Sequence, residues 1–135
     1  MRLWHKYLIP YLPKKQLIAQ WRECCCIARN IYKNGTPNHI LVNKILDYPD
    51  DEFNTYAMMV AKEMEKRGYV VDKERFWRWR RDINTIIDST VFRGWHDQRY
   101  LRQCYYNLEE KYDRGGVSEE EWKTFERGYK RFSLC

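Results

Sequence analysis

The sequence predicts an all-α fold built as one domain over residues 1–135. Three observations carry this. Apolar residues recur at three- and four-residue steps through most of the chain, the breaks between those runs hold glycine, proline and asparagine, and strand-like alternation is almost absent. The best strand signal, Tyr69-Val70-Val71, has no second run to pair with.

Taken in order, the chain opens with Leu3, Trp4, Tyr7, Leu8, Ile9, Tyr11 and Leu12, too apolar for a frayed tail. This arm is expected to pack between helices. Pro13 suits a first helical turn, and Leu17, Ile18, Trp21, Cys24, Cys25, Ala28, Ile31 and Tyr32 then mark an amphipathic helix stopped by Asn34-Gly35. Thr36-Pro37-Asn38 is a loop, and a short apolar piece from His39 to Leu46 leads to Tyr48-Pro49. A new start at Asp50 carries Phe53, Tyr56, Ala57, Val60, Ala61 and Met64 inward and ends at Gly68. Asp72 is expected to cap a further segment with Phe76, Trp77, Trp79, Ile83, Ile86 and Ile87 as its apolar positions. The next helix runs from roughly Asp97 to Asp113, with Leu101, Cys104, Leu108 and Tyr112 inward and Gly115-Gly116 behind it. Ser118 with Glu121 forms a capping box for a last short helix.

Composition narrows the function classes. At 135 residues the chain can bury a core without disulfides or metal. A 44% hydrophobic and 33% charged composition is that of a globular protein, and no apolar stretch nears the roughly 18 residues of a membrane span. Pro10, Pro13 and Lys14-Lys15 break any signal-peptide core, so a cytoplasmic location is expected. The cysteines number five, three of them consecutive (Cys24, Cys25, Cys26), without a CxxC pair. They read as reduced, mostly packed thiols, and a metal site from Cys104, His5, His39 and His96 is not expected.

A net charge of +6, a pI near 9.1 and 16% aromatic residues favour a polyanionic partner, nucleic acid first. Two basic constellations stand out. Lys15, Arg22 and Arg29 are seven apart and share one stripe of the first helix, with Lys33 beside it. Arg75, Arg78, Arg80 and Arg81 surround Trp77 and Trp79 but are flanked by Glu74 and Asp82. A buried arm would also hold the α-amino group of Met1 in a fixed place. Beside a carboxylate and an arginine, such as Glu23 and Arg22, that amine could act as a nucleophile. Alternatively, Leu3 and Trp4 fill an apolar groove while the amine faces water.

Beyond these features, the arm, the run Gln16-Leu17-Ile18-Ala19-Gln20-Trp21-Arg22-Glu23 and the later Glu63-Met64-Glu65-Lys66-Arg67-Gly68-Tyr69 resemble the pyrimidine-dimer DNA glycosylase family of bacteriophage endonuclease V. Tyr100-Leu101 through Asn107-Leu108-Glu109-Glu110-Lys111 extends the likeness. The resemblance implies a monomeric DNA repair glycosylase with AP-lyase activity, acting on damaged double-stranded DNA carrying ultraviolet-induced pyrimidine dimers. It implies no cofactor and no metal.

On that resemblance the catalytic residues are Met1, whose amine attacks the sugar C1′ to give an imine, Glu23, which stabilises the developing charge and assists proton transfers, and Arg22. The DNA-binding residues are Arg2, Lys15, Arg29, Lys33, His39 and Lys111. Arg2 is a large second residue that blocks removal of Met1, so Met1 stands where the family carries a threonine amine. Cys26 and Asn107 stand where the family has arginines, with Arg29 one turn further on. The alternative is a DNA- or RNA-binding module that kept the fold without the chemistry.

Overall fold

A computed structural model describes residues 1–134. Five α-helices, α1 (Lys14–Asn34), α2 (Asp50–Lys66), the single-turn α3 (Glu74–Trp77), α4 (Gln98–Asp113) and α5 (Glu119–Phe132), and three 3-10 turns (Lys6–Tyr11, Asn43–Asp47, Asp88–Thr90) account for the regular structure among these residues. No helix there is long and apolar enough to cross a membrane. The expected punctuation is in place. Gly35 ends α1 in the left-handed conformation at φ 76°. Asp97 caps α4 by accepting from the Tyr100 N–H, and Ser118 and Glu121 form a reciprocal capping box on α5. Pro13 is the residue immediately before α1.

The arm is the centre of the molecule. Leu3, Trp4, Leu8, Ile9 and Leu12 are buried with Leu17, Trp21 and Ile27 of α1, Phe53, Tyr56 and Val60 of α2, Leu101 and Leu108 of α4 and Phe125 of α5. The 3-10 turn Lys6–Tyr11 packs on α5 and α2, while α1 packs on α2 and α3. Close approach fixes one glycine. A Cβ on Gly128 of α5 would stand 2.3 Å from Cγ of Tyr11, so only glycine lets the arm lie there.

The segment after Asp72 departs from its expected pattern. Only Glu74–Trp77 is helical, Asp72 is not its cap, and Ile83 and Ile87 are 72% and 73% exposed. Polar side chains of α2 hold this stretch instead. Asn54 Nδ2 donates to the carbonyls of Asp82 and Asn84 (2.7 and 3.0 Å), Thr55 Oγ1 accepts the Ile86 N–H (2.7 Å), and Arg80 Nε donates to Asn54 Oδ1 (2.7 Å). Side-chain partners of this kind compete with helical hydrogen bonds and win here.

Candidate active site

A cavity of about 690 Å³ opens between the arm, α1 and α4, lined by Met1, Arg2, Trp4, Lys15, Gln16, Ile18, Ala19, Arg22, Glu23, Leu41, Asn107 and Lys111. Such a volume lies within the range of small-ligand sites. Its walls follow from local sequence. Lys15, Ile18, Ala19 and Arg22 recur at three- and four-residue steps, so they share the face of α1 opposite Leu17, Trp21 and Cys24. Glu23 flanks that face and is half-buried.

Hydrogen bonds from three helices fix the arm against this wall. Gln20, fully buried, accepts the Trp4 N–H through Oε1 (2.7 Å), and its Nε2 donates to the Arg2 carbonyl (2.9 Å) and to Glu23 Oε2 (3.1 Å). The Tyr56 hydroxyl of α2 donates to the Trp4 carbonyl (2.5 Å), and the Tyr100 hydroxyl of α4 donates to the Leu3 carbonyl. Below them the Lys6 N–H donates to His96 Nδ1 (3.0 Å), and Lys6 Nζ donates to the carbonyls of Ser89 and Val91 (3.0 and 2.5 Å). The Arg2, Leu3 and Trp4 carbonyls and the Trp4 and Lys6 N–H groups thus meet side chains from outside the arm.

Burial pushes the Glu23 carboxyl above its usual range, opposed by the Met1 α-ammonium, the Arg2 backbone amide, Lys111 and Arg22. Among the described residues Glu23 is the sole carboxylate on the cavity wall, which also carries four cationic side chains and Met1. No ion pair joins the Met1 amine to Glu23 among the described residues, so direct contact does not close the space between them. A lining of this size and charge suits an anionic, ring-sized group.

Of the expected site residues, Met1, Arg2, Lys15, Arg22, Glu23 and Lys111 share this cavity. Arg29 and Lys33 do not. They lie further along α1 and line a separate groove with Cys25, Cys26, Arg75, Arg78 and Trp79, where Lys33 Nζ sits 5.6 Å above the Trp79 ring. The two basic constellations of the sequence therefore meet there. His39 organises its loop, with Nδ1 accepting the Leu41 N–H (3.2 Å) and its backbone N–H donating to Asn43 Oδ1 (3.0 Å). Cys24 and Cys25 are buried and Cys26 is exposed, all as free thiols. Among the described residues no three His, Cys, Asp or Glu side chains converge on a point suited to a metal ion.

Sequence reasoning passed over Gln20 and Leu41 as site residues, and Asn107, noted only as standing where the family has an arginine, also lines the cavity. For Gln20 a signal existed, since it falls in the buried line of Leu17, Trp21 and Cys24, where a polar side chain must find a partner. A family model described as pyrimidine dimer DNA glycosylase matches residues 1–76, more than half of the chain, from the arm through α2 to Phe76. Asn107 and Lys111 lie beyond the match. No curated protein and no solved structure matches the chain.

Proposed function

The chain belongs to the pyrimidine dimer DNA glycosylase family, and from that premise we propose that it excises a damaged base from double-stranded DNA and then cleaves the strand as an AP lyase. One observation supports this most directly: Met1, Glu23 and Arg22 line a single cation-rimmed cavity, and the α-ammonium is near enough to Glu23 to oppose the rise of its pKa.

In the proposed reaction the neutral Met1 amine adds to the sugar C1′ as the glycosidic bond breaks. The base leaves with its bonding electrons and the nitrogen, now bonded to C1′, loses a proton; a proton then reaches O4′, the C1′–O4′ bond breaks, and the opened sugar is left as a protonated imine. Glu23, as carboxylate, stabilises the cationic iminium. It then takes the proton from C2′, so that the C3′–O3′ bond breaks and the 3′-phosphate departs. Water hydrolyses the conjugated imine and returns the amine. Raising Glu23 above its usual range makes it a better base once ionised. Arg22, Arg2, Lys15 and Lys111 hold phosphates around the opening, and Arg29, Lys33 and the His39 loop extend the contact along the duplex. Gln20 acts as a positioning residue by tying the arm to Glu23.

Borohydride reduction in the presence of abasic-site duplex tests this. Native protein should give a covalent adduct. Acetylating the α-amine should abolish the adduct while DNA affinity stays within about twofold. An adduct that persists after blocking would refute the amine's role and move the nucleophile to Lys15 or Lys111 on the wall, because Lys6 is held buried by two carbonyls. Retained binding with no adduct from native protein would leave a DNA-binding module.

A further inference from the structure

Two side chains on the cavity wall play no part in the reaction above, Gln16 on α1 and Asn107 on α4. Both are half-buried, and among the described residues neither amide has a hydrogen-bond partner. No other side-chain amide there is placed in this way. Each of the rest is either bonded within the protein, as Gln20, Gln98 and Asn54 are, or exposed, as Asn34, Asn84 and Gln103 are.

An occupant that fills the cavity strips water from these two amides. That costs free energy unless the occupant returns the hydrogen bonds. A phosphate cannot return them in full, because it accepts from the NH2 group but leaves the amide oxygen facing an anion. Phosphates are also provided for, by Arg2, Lys15, Arg22 and Lys111. The edge of a nucleobase carries donors and acceptors side by side, the pattern that a carboxamide matches. Ile18 and Leu41, on the same wall, offer apolar surface to the faces of a ring. Position agrees with this chemistry. Gln16 lies on the same side of α1 as Glu23, about 10 Å before it along the helix axis. A nucleotide whose sugar stands by Glu23 can therefore extend its base toward Gln16. Asn107 lies one turn before Lys111 on α4, which sets an amide beside a cation.

We propose that Gln16 and Asn107 form a base-reading subsite, in which their amides hydrogen-bond the edge of the damaged base while the cations hold the flanking phosphates. This rests on the glycosylase reading of the cavity. The two residues meet the base and not the bonds that change, so they set which base is excised and how it is oriented.

The test uses two duplexes of one sequence, one with a thymine dimer and one with an abasic site in its place. The second has no base to read. Single-turnover excision on the first and strand cleavage on the second are measured for native protein, Gln16→Leu, Asn107→Leu and the double variant. Leucine keeps the bulk of the side chain and removes its hydrogen bonds. Each single variant should lower the ratio of excision to abasic cleavage about 10-fold, and the double variant about 100-fold. Partial unfolding lowers both rates alike and leaves this ratio untouched. A ratio unchanged in the double variant, whether both rates hold or both fall together, would overturn the subsite. Should native protein not excise the dimer, binding decides. A preference for the dimer duplex over one with an uncleavable abasic analogue, lost in the double variant, would sustain the subsite and refute the glycosylase reading alone. No such preference, or one that the double variant keeps, would overturn the subsite.

Discussion

Replacing Gln20 by alanine should release the arm. In the folded chain this buried amide satisfies the Trp4 N–H, the Arg2 carbonyl and one oxygen of Glu23. The Arg2 carbonyl can turn to water, but the Trp4 N–H is enclosed and would be orphaned, at about 1–3 kcal/mol. The vacated volume adds roughly 1 kcal/mol, since the surrounding side chains relax only in part. The total of about 2–4 kcal/mol corresponds to a melting temperature lower by roughly 7–14 °C in a chain of this length. Calorimetry reads the global loss, and amide hydrogen exchange reads where it falls. Exchange at Trp4 should accelerate far more than exchange at the centre of α2. A Gln20→Ala protein that melts within 2 °C of native and keeps Trp4 protected would refute the clamp.

Other outcomes follow from the same geometry. The folded-state pKa of Glu23 is raised, so its contribution to stability is present below the ordinary carboxylate range and is lost as pH rises through the raised value. Glu23→Gln should therefore melt slightly higher at pH 7, about 1–2 °C after solvent screening, with the gap closing near pH 4, while excision falls at least about 100-fold. Burial lowers His5 to about 4 and His96 well below the usual 6.5, so both are neutral in the folded protein. Their contribution is present above pH 6.5 and lost as pH falls through the folded values. Stability should then fall by up to roughly 2.7 kcal/mol per pH unit between pH 6 and 4, a slope that His96→Asn should about halve in melts across pH. Gly128→Ala should cost about 1–3 kcal/mol in denaturant titration, because its methyl group would meet the Tyr11 ring. Lys111→Ala and Arg29→Ala should each reduce the slope of log affinity against log salt by about one unit in duplex-binding titrations, which an unchanged slope would contradict.

The helices were legible because their boundaries are written locally, in Asn34-Gly35, Asp97 and the Ser118–Glu121 box. The buried arm was legible for a different reason, since its run of apolar residues had nowhere to go but inside. The stretch after Trp77 was misread because its isoleucines imitate helical spacing, whereas Asn54 and Thr55, polar residues on a distant helix, fix its backbone. Periodicity carries no information about such long-range partners. Likewise, the seven-residue spacing of Lys15, Arg22 and Arg29 gave one stripe, but not the point along it where the cavity ends and a second groove, shared with Arg75 and Arg78, begins.

The arm also bears on the order in which the molecule is made. Its anchors lie 16, 52, 90 and 97 residues along the chain, at Gln20, Tyr56, His96 and Tyr100. During synthesis the arm thus waits for about 97 further residues before its last partner exists, several seconds at ordinary elongation rates. Contacts of such long range are the slowest to close. The cavity wall that the arm completes is therefore among the last features to form, and a chain caught half-folded lacks that cavity however complete its separate helices are.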